Sequence, residues 1–409
     1  MTRRIVFVCR TLAGEALRCA RAIQELDDVT LSTICVGDTD DVRKLIETAR
    51  SLGGVKKIVT AQETLLGSVA EANEALGLDA MRPEVVARTL DKSKLKSTLR
   101  HAGLTTPRDQ LVNTLDDARR FVDEVGFPIV LKPLNGSGAL TTFRITTEDQ
   151  LTTILSVIKL PALAETYLNG QELCFDTVTL RNEPQSYSVC SYNPSIIEAI
   201  ENPATQWRCV MPRELTAYKP FIQQGLAAVR ALQVGDAITH MEGFIDEYGP
   251  AGFVDATLRP AGARMGPMFG FAHDVDAYRV WARVAVDGAF DGPLARKYAV
   301  GTIFLRGTGS GFVERVHGVE TVNEKLNTLI VEARWPRIQV PKSATYTGDG
   351  FITIRHSETS VVENALDFID QTIRIGYSSP QPTETVWTER LHNFRHLNKP
   401  AWDIEVVNH

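Results

Sequence analysis

The sequence has no long hydrophobic run. Near its beginning, the apolar stretch over residues 5–9 ends at Arg10. A membrane-spanning helix needs roughly 20 consecutive apolar residues, and a secretory signal needs a longer apolar stretch followed by a small-residue cleavage site. The sequence therefore predicts a cytoplasmic protein that does not insert into a membrane.

Cysteine is scarce and shows no pairing pattern. Six cysteines are spread over 409 residues, without a Cys-x-x-Cys pair and without a matching histidine cluster. Disulfide frameworks and zinc sites usually show such spacings. We therefore expect reduced thiols in a cytosolic protein.

Positive charge is not in excess. The chain has 44 Lys and Arg residues against 50 Asp and Glu residues, which gives a formal net charge of -6. Nonspecific nucleic-acid binding needs a basic face, so we do not expect a nucleic-acid partner. The content of 44% hydrophobic and 23% charged residues is typical of a globular protein. The length favours about two or three domains.

The first part of the chain alternates strand and helix patterns. Apolar, β-branched stretches alternate with stretches of helical spacing, and this order predicts a small doubly wound parallel sheet. The predicted strands are residues 5–9, 29–36 and 57–59. The predicted helices are residues 15–26, 42–52 and 64–76.

The middle of the chain predicts a compact α+β lid. After a lysine-rich helix over 91–102, strands and helices alternate less regularly. The predicted lid strands are 129–132, 142–145, 162–167 and 172–179, with helices over 116–125 and 148–158. Residues 184–214 contain four prolines and little periodicity. We expect a long irregular segment there that shapes the substrate pocket and helps to close it.

The last part of the chain predicts a hairpin and a further unit. Residues 238–246 and 252–257 alternate apolar and polar side chains around a turn, as paired strands do. A new unit begins near residue 299, and the tail over 377–409 is expected to be irregular.

The first motif with chemical potential is a strand that ends in a lysine. Lys132 closes a buried strand, and the loop Gly136-Ser137-Gly138 follows. The backbone N–H groups of such a loop can surround phosphate oxygens, with the lysine as a nearby charge. The spacing is not that of a Walker A loop. Taken alone, the pattern is weak, and a common hairpin turn is the favoured explanation.

Two further motifs carry carboxylates. Glu165 and Glu172 lie at the ends of a strand-turn-strand pattern and could hydrogen-bond to ribose hydroxyls, although a solvated hairpin is the simpler explanation. In the later hairpin, Glu242 is expected opposite Asp255, where two carboxylates suit Mg²⁺. Arg259 follows in a position to hold a carboxylate or an oxyanion. A surface hairpin with scattered charges remains the alternative.

In combination, these motifs resemble the ATP-grasp superfamily of ligases. The resemblance covers residues 85–265 and depends on the order Asp91-Lys92, Lys132 with its glycine-rich loop, Glu165 with Gly170 and Glu172, then Glu242 and Asp255-x-Thr257-x-Arg259-Pro260-x-Gly262. It implies an α/β and α+β protein with the ATP-grasp fold.

The resemblance also implies the division into domains. A doubly wound α/β domain over 1–90 would precede an ATP-grasp part with the lid over 91–184. An antiparallel sheet part over 185–298 would carry the metal and substrate site. The α+β extension over 299–376 is similar to the C-terminal domain of ATP-grasp L-amino acid ligases, and the irregular tail over 377–409 would follow.

The resemblance assigns the ATP site to the first motifs. The phosphate contacts would be Lys92, Lys132, Gly136, Ser137 and Gly138. The adenine and ribose contacts would be Glu165, Tyr167, Leu168 and Glu172.

The metal and the reacting groups are assigned to the hairpin. Glu242, Asp255 and Thr257 would hold Mg²⁺, with Mn²⁺ as an option, and Arg259 would act with Lys132 in catalysis by steadying the acyl phosphate. The superfamily usually has Glu at the position of Asp255 and Asn at that of Thr257, and paired glycines where this chain has Gly138-Ala139. These departures leave open a single metal in place of two, or a catalytically silent paralogue.

The function implied is ATP-dependent ligation of a carboxylate to an amine. The product would be an amide or peptide bond, formed through an acyl phosphate, with small amino acids as substrates. A bicarbonate-activating, carboxylase-like enzyme is the alternative within the superfamily, although no Met-Lys biotin-carrier motif is present. A silent ATP-binding paralogue is the non-enzymatic alternative.

The sequence does not identify the general base or the substrates. His240, His273 and Glu198 are candidates for the base, although each is more readily explained as structural. The substrate pocket is expected to draw on residues 184–214, 259–275 and 300–320. The oligomeric state is open, with a homodimer through the N-terminal domain as one option.

Overall fold

The first unit is a parallel sheet with helices on both faces. The computed structural model describes residues 2–37, 41–134, 141–292 and 294–379, and the backbone of 405–408. The parallel strands, in the order β2-β1-β3, are β1 (Arg3–Cys9), β2 (Val29–Cys35) and β3 (Val55–Val59). The helices are α1 (Gly14–Gln24), α2 (Val42–Leu52) and α3 (Leu66–Ala75), the last preceded by a 3₁₀ turn (Glu63–Leu65).

The two faces of this sheet are covered by different helices. Successive side chains of a strand point to opposite faces. Ile5 and Phe7 of β1 therefore pack with α1, and Val6 and Val8 pack with α2 and α3. The predicted doubly wound arrangement is confirmed.

Two helices connect this unit to the lid. They are α4 (Pro83–Leu90) and α5 (Lys92–His101). Asp91 caps α5, because its side chain accepts hydrogen bonds from the backbone N–H groups of Ser93 and Lys94. The cap fixes the first turn of α5, and Lys92 is buried there.

The lid is a four-stranded antiparallel sheet covered by two helices. Its strand order is β4-β7-β5-β6. The elements are β4 (Asp109–Val112), α6 (Leu115–Val125), β5 (Ile129–Pro133), β6 (Phe143–Ile145), α7 (Glu148–Leu155) and β7 (Ala162–Thr166). Phe121 of α6 and Leu151 of α7 pack against the buried strands. The α+β character of the lid is as predicted, but the strand expected over 172–179 belongs to the large sheet of eight strands, and β4 forms the edge of the lid in its place. Strand periodicity shows that a segment is a strand but not which sheet it joins.

The rest of the chain is built on one antiparallel sheet of eight strands, in the order β12-β11-β8-β9-β10-β13-β16-β15. The strands are β8 (Gln171–Leu180), β9 (Glu183–Asn193), β10 (Trp207–Met211), β11 (Ala237–Asp246), β12 (Gly249–Thr257), β13 (Ala299–Leu305), β15 (Ile330–Arg334) and β16 (Gly350–His356). A separate ribbon pairs β14 (Ser310–His317) with β17 (Arg374–Ser379). The large sheet continues across the predicted domain boundary at 298/299.

Helices cover both faces of the large sheet. They are α8 (Ile196–Glu201), α9 (Lys219–Leu232), α10 (Met265–His273), α12 (Val319–Leu326) and α13 (Thr359–Thr372), whereas α11 (Ala277–Ala282) packs on α1 of the first unit. A 3₁₀ turn (Thr216–Tyr218) precedes α9, and a π turn (Arg283–Asp287) continues α11. None of the described helices is long and apolar enough to cross a membrane.

The prediction for residues 184–214 was wrong. Much of this segment forms β9 and β10, which lie in the middle of the large sheet, with α8 between them. Proline marks breaks in periodicity, but Pro184 and Pro194 fall at the ends of β9, where a lost N–H donor is tolerated. The segment therefore belongs mostly to the rigid core.

The tail also differs from the expectation of irregular structure. Residues 377–379 complete β17, and β18 (Glu405–Asn408) pairs antiparallel with β2. A strand of four residues gives little periodic signal. Residues 380–404 lie outside the described part of the chain.

Candidate active site

Glu242 and Asp255 lie directly opposite each other on adjacent strands. The hairpin of β11 and β12 pairs Glu242 with Asp255 and His240 with Thr257. Directly opposed residues of an antiparallel pair project from the same face of the sheet. The structure therefore brings both carboxylates and the Thr257 hydroxyl to one face, as expected from the sequence, and two β-bulges in the hairpin set Glu242 directly opposite Asp255.

Thr257 has a buried hydroxyl that the fold does not satisfy. Its Oγ1 has no hydrogen-bond partner among the described residues. A buried unsatisfied polar atom lowers the stability of the fold by about 1–3 kcal/mol. Such an atom therefore indicates a position where a ligand can bind. Together with Glu242 and Asp255 it forms a set of oxygen atoms, and oxygen is the ligand type that Mg²⁺ prefers.

Lys92 forms an ion pair with Asp255. Its Nζ lies 3.1 Å from Oδ2 of Asp255, and the lysine side chain is only 6% exposed. Burial alone would raise the pKa of Asp255, but the charges of Lys92 and Lys132 hold it below its ordinary value. Burial alone would lower the pKa of Lys92, and Asp255 raises it overall. Both groups are therefore charged at neutral pH.

Lys132 reaches the same region from the lid. Its Nζ lies 2.9 Å from Oε2 of Glu165 and donates a hydrogen bond of 3.2 Å to the carbonyl of Val254. Val254 directly precedes Asp255 on β12. The buried ammonium group of Lys132 thus connects the lid strand β5 to the hairpin of β11 and β12. Gly136, Ser137 and Gly138, which follow Lys132, lie outside the described residues.

Lys96 is a site residue that the sequence reasoning missed. It is fully buried, and its Nζ lies 2.5 Å from Oε1 of Glu165 and 3.3 Å from the carbonyl of Val254. Burial lowers the pKa of Lys96 to about 8. Lys92 and Lys96 are four residues apart on α5, so they share a helix face, and that spacing was the available signal.

Arg259 is held by a residue of the N-terminal unit. Its Nη2 lies 2.7 Å from Oε2 of Glu63, and its Nη1 donates a hydrogen bond of 2.8 Å to the carbonyl of Pro260. Glu63 follows β3, at the carboxyl end of the parallel sheet, where open α/β sheets form their binding crevices. No motif in the sequence distinguished this residue.

Glu172 is a buried carboxyl group. Its Oε2 accepts a hydrogen bond of 2.7 Å from the backbone N–H of Ile196. Burial, together with the charge of Glu242, raises the pKa of Glu172 to about 8. At neutral pH the group is therefore mostly protonated and can donate as well as accept a hydrogen bond. Gly170, with a φ of 136°, makes the turn before it, and any Cβ there would collide with the carbonyl of Ile245.

All predicted site residues that the structure describes line one cavity: Lys92, Lys132, Glu165, Tyr167, Leu168, Glu172, Glu242, Asp255, Thr257 and Arg259. The cavity lies between the lid and the large sheet. Such a convergence of charged side chains in a single concave region is the usual mark of a binding site. The roles assigned to the individual residues remain predictions.

Of the three base candidates, His240 alone lines this cavity. Its Nδ1 lies 2.6 Å from Oδ1 of Asp176 and its Nε2 lies 3.4 Å from Oε1 of Glu242. Burial alone would lower the pKa of His240, but Asp176 raises it well above its ordinary value. His273 contacts the carbonyl of Ala295. Glu198 forms a capping box at α8, and neither of these two residues lines the cavity.

The chain segments that line the cavity differ in one respect from those predicted for the substrate pocket. Residues from 184–214 and 259–275 do line the cavity, including Ser195 and Met265. No residue of 300–320, all of which the structure describes, does so. Tyr346 takes that place from the loop before β16, with its ring 5.0 Å from that of Trp207. A loop without periodicity gave no sequence signal for this.

The sequence has partial relatives of known activity. Residues 89–176 match the family described as a RimK-like ATP-grasp domain. Alanine–anticapsin ligase of Bacillus subtilis strain 168 is 26% identical over 147 residues, which is 32% of this chain and 31% of that protein. The carbamoyl phosphate synthase large chain of Acidobacterium capsulatum is 33% identical over 86 residues, 19% of this chain and 8% of that protein. The chain thus matches less than a third of the length of these curated relatives.

The similarity to solved structures extends over most of the chain. An L-amino acid ligase from Bacillus licheniformis superposes with a TM-score of 0.73 at 17% identity, covering 92% of this chain and 99% of that one. The protein has the ATP-grasp fold. Phosphoribosylglycinamide synthetase from Anaerococcus prevotii superposes with a TM-score of 0.68 at 13% identity, over 92% and 100% of the two chains. At these identities the ATP-grasp superpositions define the architecture, and the cavity described above lies between its lid and its central sheet.

Proposed function

We propose that this ATP-grasp protein is an ATP-dependent carboxylate–amine ligase that joins small amino acids and releases ADP and phosphate. The observation that carries the proposal is the cavity itself. It combines Lys92 and Lys132, two carboxylates opposed on a hairpin, and Arg259 beyond them. This set can neutralise a polyphosphate, hold a divalent cation and bind a substrate carboxylate within one enclosure.

The charge balance of the site supports ATP as the phosphoryl donor. Lys92, Lys96 and Lys132 are three buried lysines, and the carboxylates that pair with them are those of Asp255 and Glu165. Phosphoryl transfer depends mainly on alignment and charge neutralisation. Glu63, Glu172 and Glu242 also line the cavity, so the support comes from the position of the ammonium groups beneath the lid, where they can neutralise the phosphates of ATP.

The reaction proposed has two steps. A substrate carboxylate oxygen attacks the γ-phosphorus, and the bond between that phosphorus and ADP breaks. The amine then attacks the acyl carbon, phosphate leaves with the bonding electron pair, and the amine loses a proton. Arg259 would hold the carboxylate and the negative charge that develops on it with its planar guanidinium. Closure by the lid would exclude water, which would otherwise hydrolyse the acyl phosphate.

The oxygen set on the hairpin fits a divalent cation. Glu242, Asp255 and the unsatisfied hydroxyl of Thr257 would hold Mg²⁺, or Mn²⁺, when nucleotide is bound. The cation would supply charge neutralisation on the phosphate oxygens. Before the cation binds, Lys92 neutralises Asp255 and keeps this partly buried carboxylate ionised.

Amino acids are proposed as substrates because of the named relatives. Alanine–anticapsin ligase and the L-amino acid ligase are, by their names, ligases of amino acids. A bicarbonate-activating reaction is the alternative, since N5-carboxyaminoimidazole ribonucleotide synthetase from Thermotoga maritima also superposes, with a TM-score of 0.67 at 15% identity over 92% and 100% of the chains. A homodimer is one option for the oligomeric state, and this option is to be tested by measurement.

The test is an incubation with ATP and Mg²⁺, with and without pooled amino acids, in which phosphate release and product mass are both measured. We expect phosphate release to require particular amino acids, with a new mass equal to their sum minus water. Phosphate release that depends on bicarbonate instead would favour the carboxylase-like alternative. ATP binding without turnover in any pool would favour a silent paralogue, for which the shorter Asp255 and the weaker ligand Thr257 are the structural reason.

A further inference from the structure

A second cluster of metal-binding side chains lies beside Glu242. Cys174 and Asp176 are on β8, and His240 is on the neighbouring strand β11. The ladder pairs His240 with Asp176 and Glu242 with Cys174. The period of two along each strand brings all four side chains to the same face of the sheet. The cysteine spacing in the sequence gave no sign of this cluster, because the ligands come from two strands far apart in the chain.

The three groups are close enough to share one ion. Nδ1 of His240 lies 2.6 Å from Oδ1 of Asp176, and Sγ of Cys174 lies 3.7 Å from Oδ2 of Asp176. One nitrogen, one sulfur and one oxygen ligand atom lie within 4.8 Å of one another. Nitrogen, thiolate sulfur and carboxylate oxygen are the ligands of Zn²⁺, which commonly takes three protein ligands and leaves a fourth position open.

We propose that Cys174, Asp176 and His240 form a binding site for a thiophilic divalent transition-metal ion of the Zn²⁺ class, distinct from the Mg²⁺ position on the hairpin. The ligand types separate the two positions. The thiolate of Cys174 is a soft ligand that selects against Mg²⁺, whereas the oxygen atoms of Glu242, Asp255 and Thr257 suit it.

The surroundings of His240 support this assignment. Its Nε2 lies 3.4 Å from Oε1 of Glu242, so a metal ion on Nδ1 would leave the Nε2–H to donate to a carboxylate. Metal-binding histidines usually make this second contact, which fixes the ring orientation and the tautomer. One imidazole ring would then link the new site to Glu242.

The site has an entry route and a closed back. His240 lines the main cavity, and the side chains of His240 and Asp176 are 11% and 13% exposed. Cys174 is fully buried, and its Sγ lies 3.7 Å from Sδ of Met265, which also lines the cavity. An ion can therefore reach the cluster from the cavity, while the sulfur is shielded from solvent behind it.

The test is a Co²⁺ titration of the full-length reduced protein, with excess Mg²⁺ and no ATP. Cobalt bound to a thiolate gives an intense near-ultraviolet charge-transfer band, which oxygen ligands alone do not give. We expect saturation at a single ion per chain, displacement of the cobalt by Zn²⁺, and loss of the band in Cys174→Ser. Asp176→Asn removes a charged ligand, so the loss of affinity should be at least as large as the roughly 10–100-fold loss that follows from changing an outer hydrogen-bond partner of a ligand.

Cys19→Ser is the matched control, because Cys19 is also a buried free cysteine but lies in the N-terminal unit. It should retain the band. Absence of the band in the unaltered protein, or its persistence in a folded Cys174→Ser, would overturn the proposal and leave the trio as a hydrogen-bonded network. If Cys174→Ser fails to fold, the affinity of the near-isosteric variant Asp176→Asn for Co²⁺ tests the proposal in its place. An unchanged affinity would overturn it. Since the measurement uses no ATP, its outcome is independent of ligase activity.

Discussion

Lys96 and Lys132 hold opposite oxygens of a single carboxylate. Their Nζ atoms lie 2.5 Å and 2.9 Å from Oε1 and Oε2 of Glu165. Both also donate to the carbonyl of Val254, at 3.3 Å and 3.2 Å. Glu165 is 2% exposed, and the two lysines lower its pKa against the opposing effect of burial. This arrangement fixes Lys132 relative to the hairpin that carries Asp255.

Removing the charge of Glu165 should destabilise the protein strongly. In Glu165→Gln, two buried ammonium groups lose their counter-charge, and breaking a buried pair by removing one partner typically costs about 3–5 kcal/mol. Urea denaturation should show this loss in the free energy of unfolding. Glu124→Gln is the control, since Glu124 pairs with Arg108 at the surface with 58% exposure, and it should change stability by less than about 1 kcal/mol. Equal effects of the two substitutions would contradict the role of Glu165.

Lys96 should make stability depend on pH above neutrality. Its pKa is about 8 in the folded protein against 10.5 for the unperturbed group. Between these values the unfolded chain binds more protons, so the contribution of Lys96 to the free energy of unfolding rises with pH. The penalty for burying its charge is present below pH 8 and disappears as the pH rises toward 10.5.

Lys96→Met provides the measurement. The stability of the unaltered protein relative to this variant should increase by up to about 2 kcal/mol between pH 7.5 and 9.5, roughly 1.4 kcal/mol per pH unit at most. Lys94→Met is the control, because the Lys94 side chain is 60% exposed, and its stability difference should not change with pH. A constant difference for Lys96→Met would show that Lys96 stays charged throughout this range.

Lys132 should be needed for phosphoryl transfer and not for the fold. In Lys132→Met, Glu165 keeps Lys96 as its partner, so the lid should still fold. Loss of one preorganised charged contact typically lowers turnover about 10²–10³-fold. Phosphate release in the presence of the amino acid pool measures this, with circular dichroism as the check on folding. Lys159→Met, an exposed lysine of the lid, should be unchanged. Normal turnover in Lys132→Met would remove this residue from the phosphate site.

Substitution of Thr257 should change the Mg²⁺ dependence of ATP turnover and have little effect on the stability of the protein. Its hydroxyl has no partner to lose, so Thr257→Val should be neutral or slightly stabilising. It should nevertheless raise the Mg²⁺ concentration needed for half-maximal ATP turnover. Thr257→Asn supplies an amide oxygen and should lower that concentration. An unchanged Mg²⁺ dependence in both variants would place Thr257 away from the cation.

Local patterns in the sequence predicted the elements whose signal is local. The alternation of strands and helices predicted the doubly wound unit, and the hairpin of β11 and β12 followed from period-two patterning around a turn. Because that period also fixes the face of each side chain, the position of Glu242 and Asp255 on one face could be anticipated, whereas their direct pairing depends on two β-bulges. The motif order then connected Lys92, Lys132 and the hairpin to one fold.

What the sequence by itself determined is therefore the order of the elements, the ATP-grasp motifs and the shared face of Glu242 and Asp255, since these depend on neighbours along the chain. The exact register of the hairpin depends on two β-bulges, which the local pattern did not predict. Only the tertiary structure decided which distant groups meet. Glu63 contacts Arg259, and Cys174 and Asp176 lie beside His240. These residues are far apart in the sequence, and periodicity carries no information about such contacts. The strands of residues 184–214 likewise needed the rest of the sheet, because a central strand derives its stability from partners on both sides.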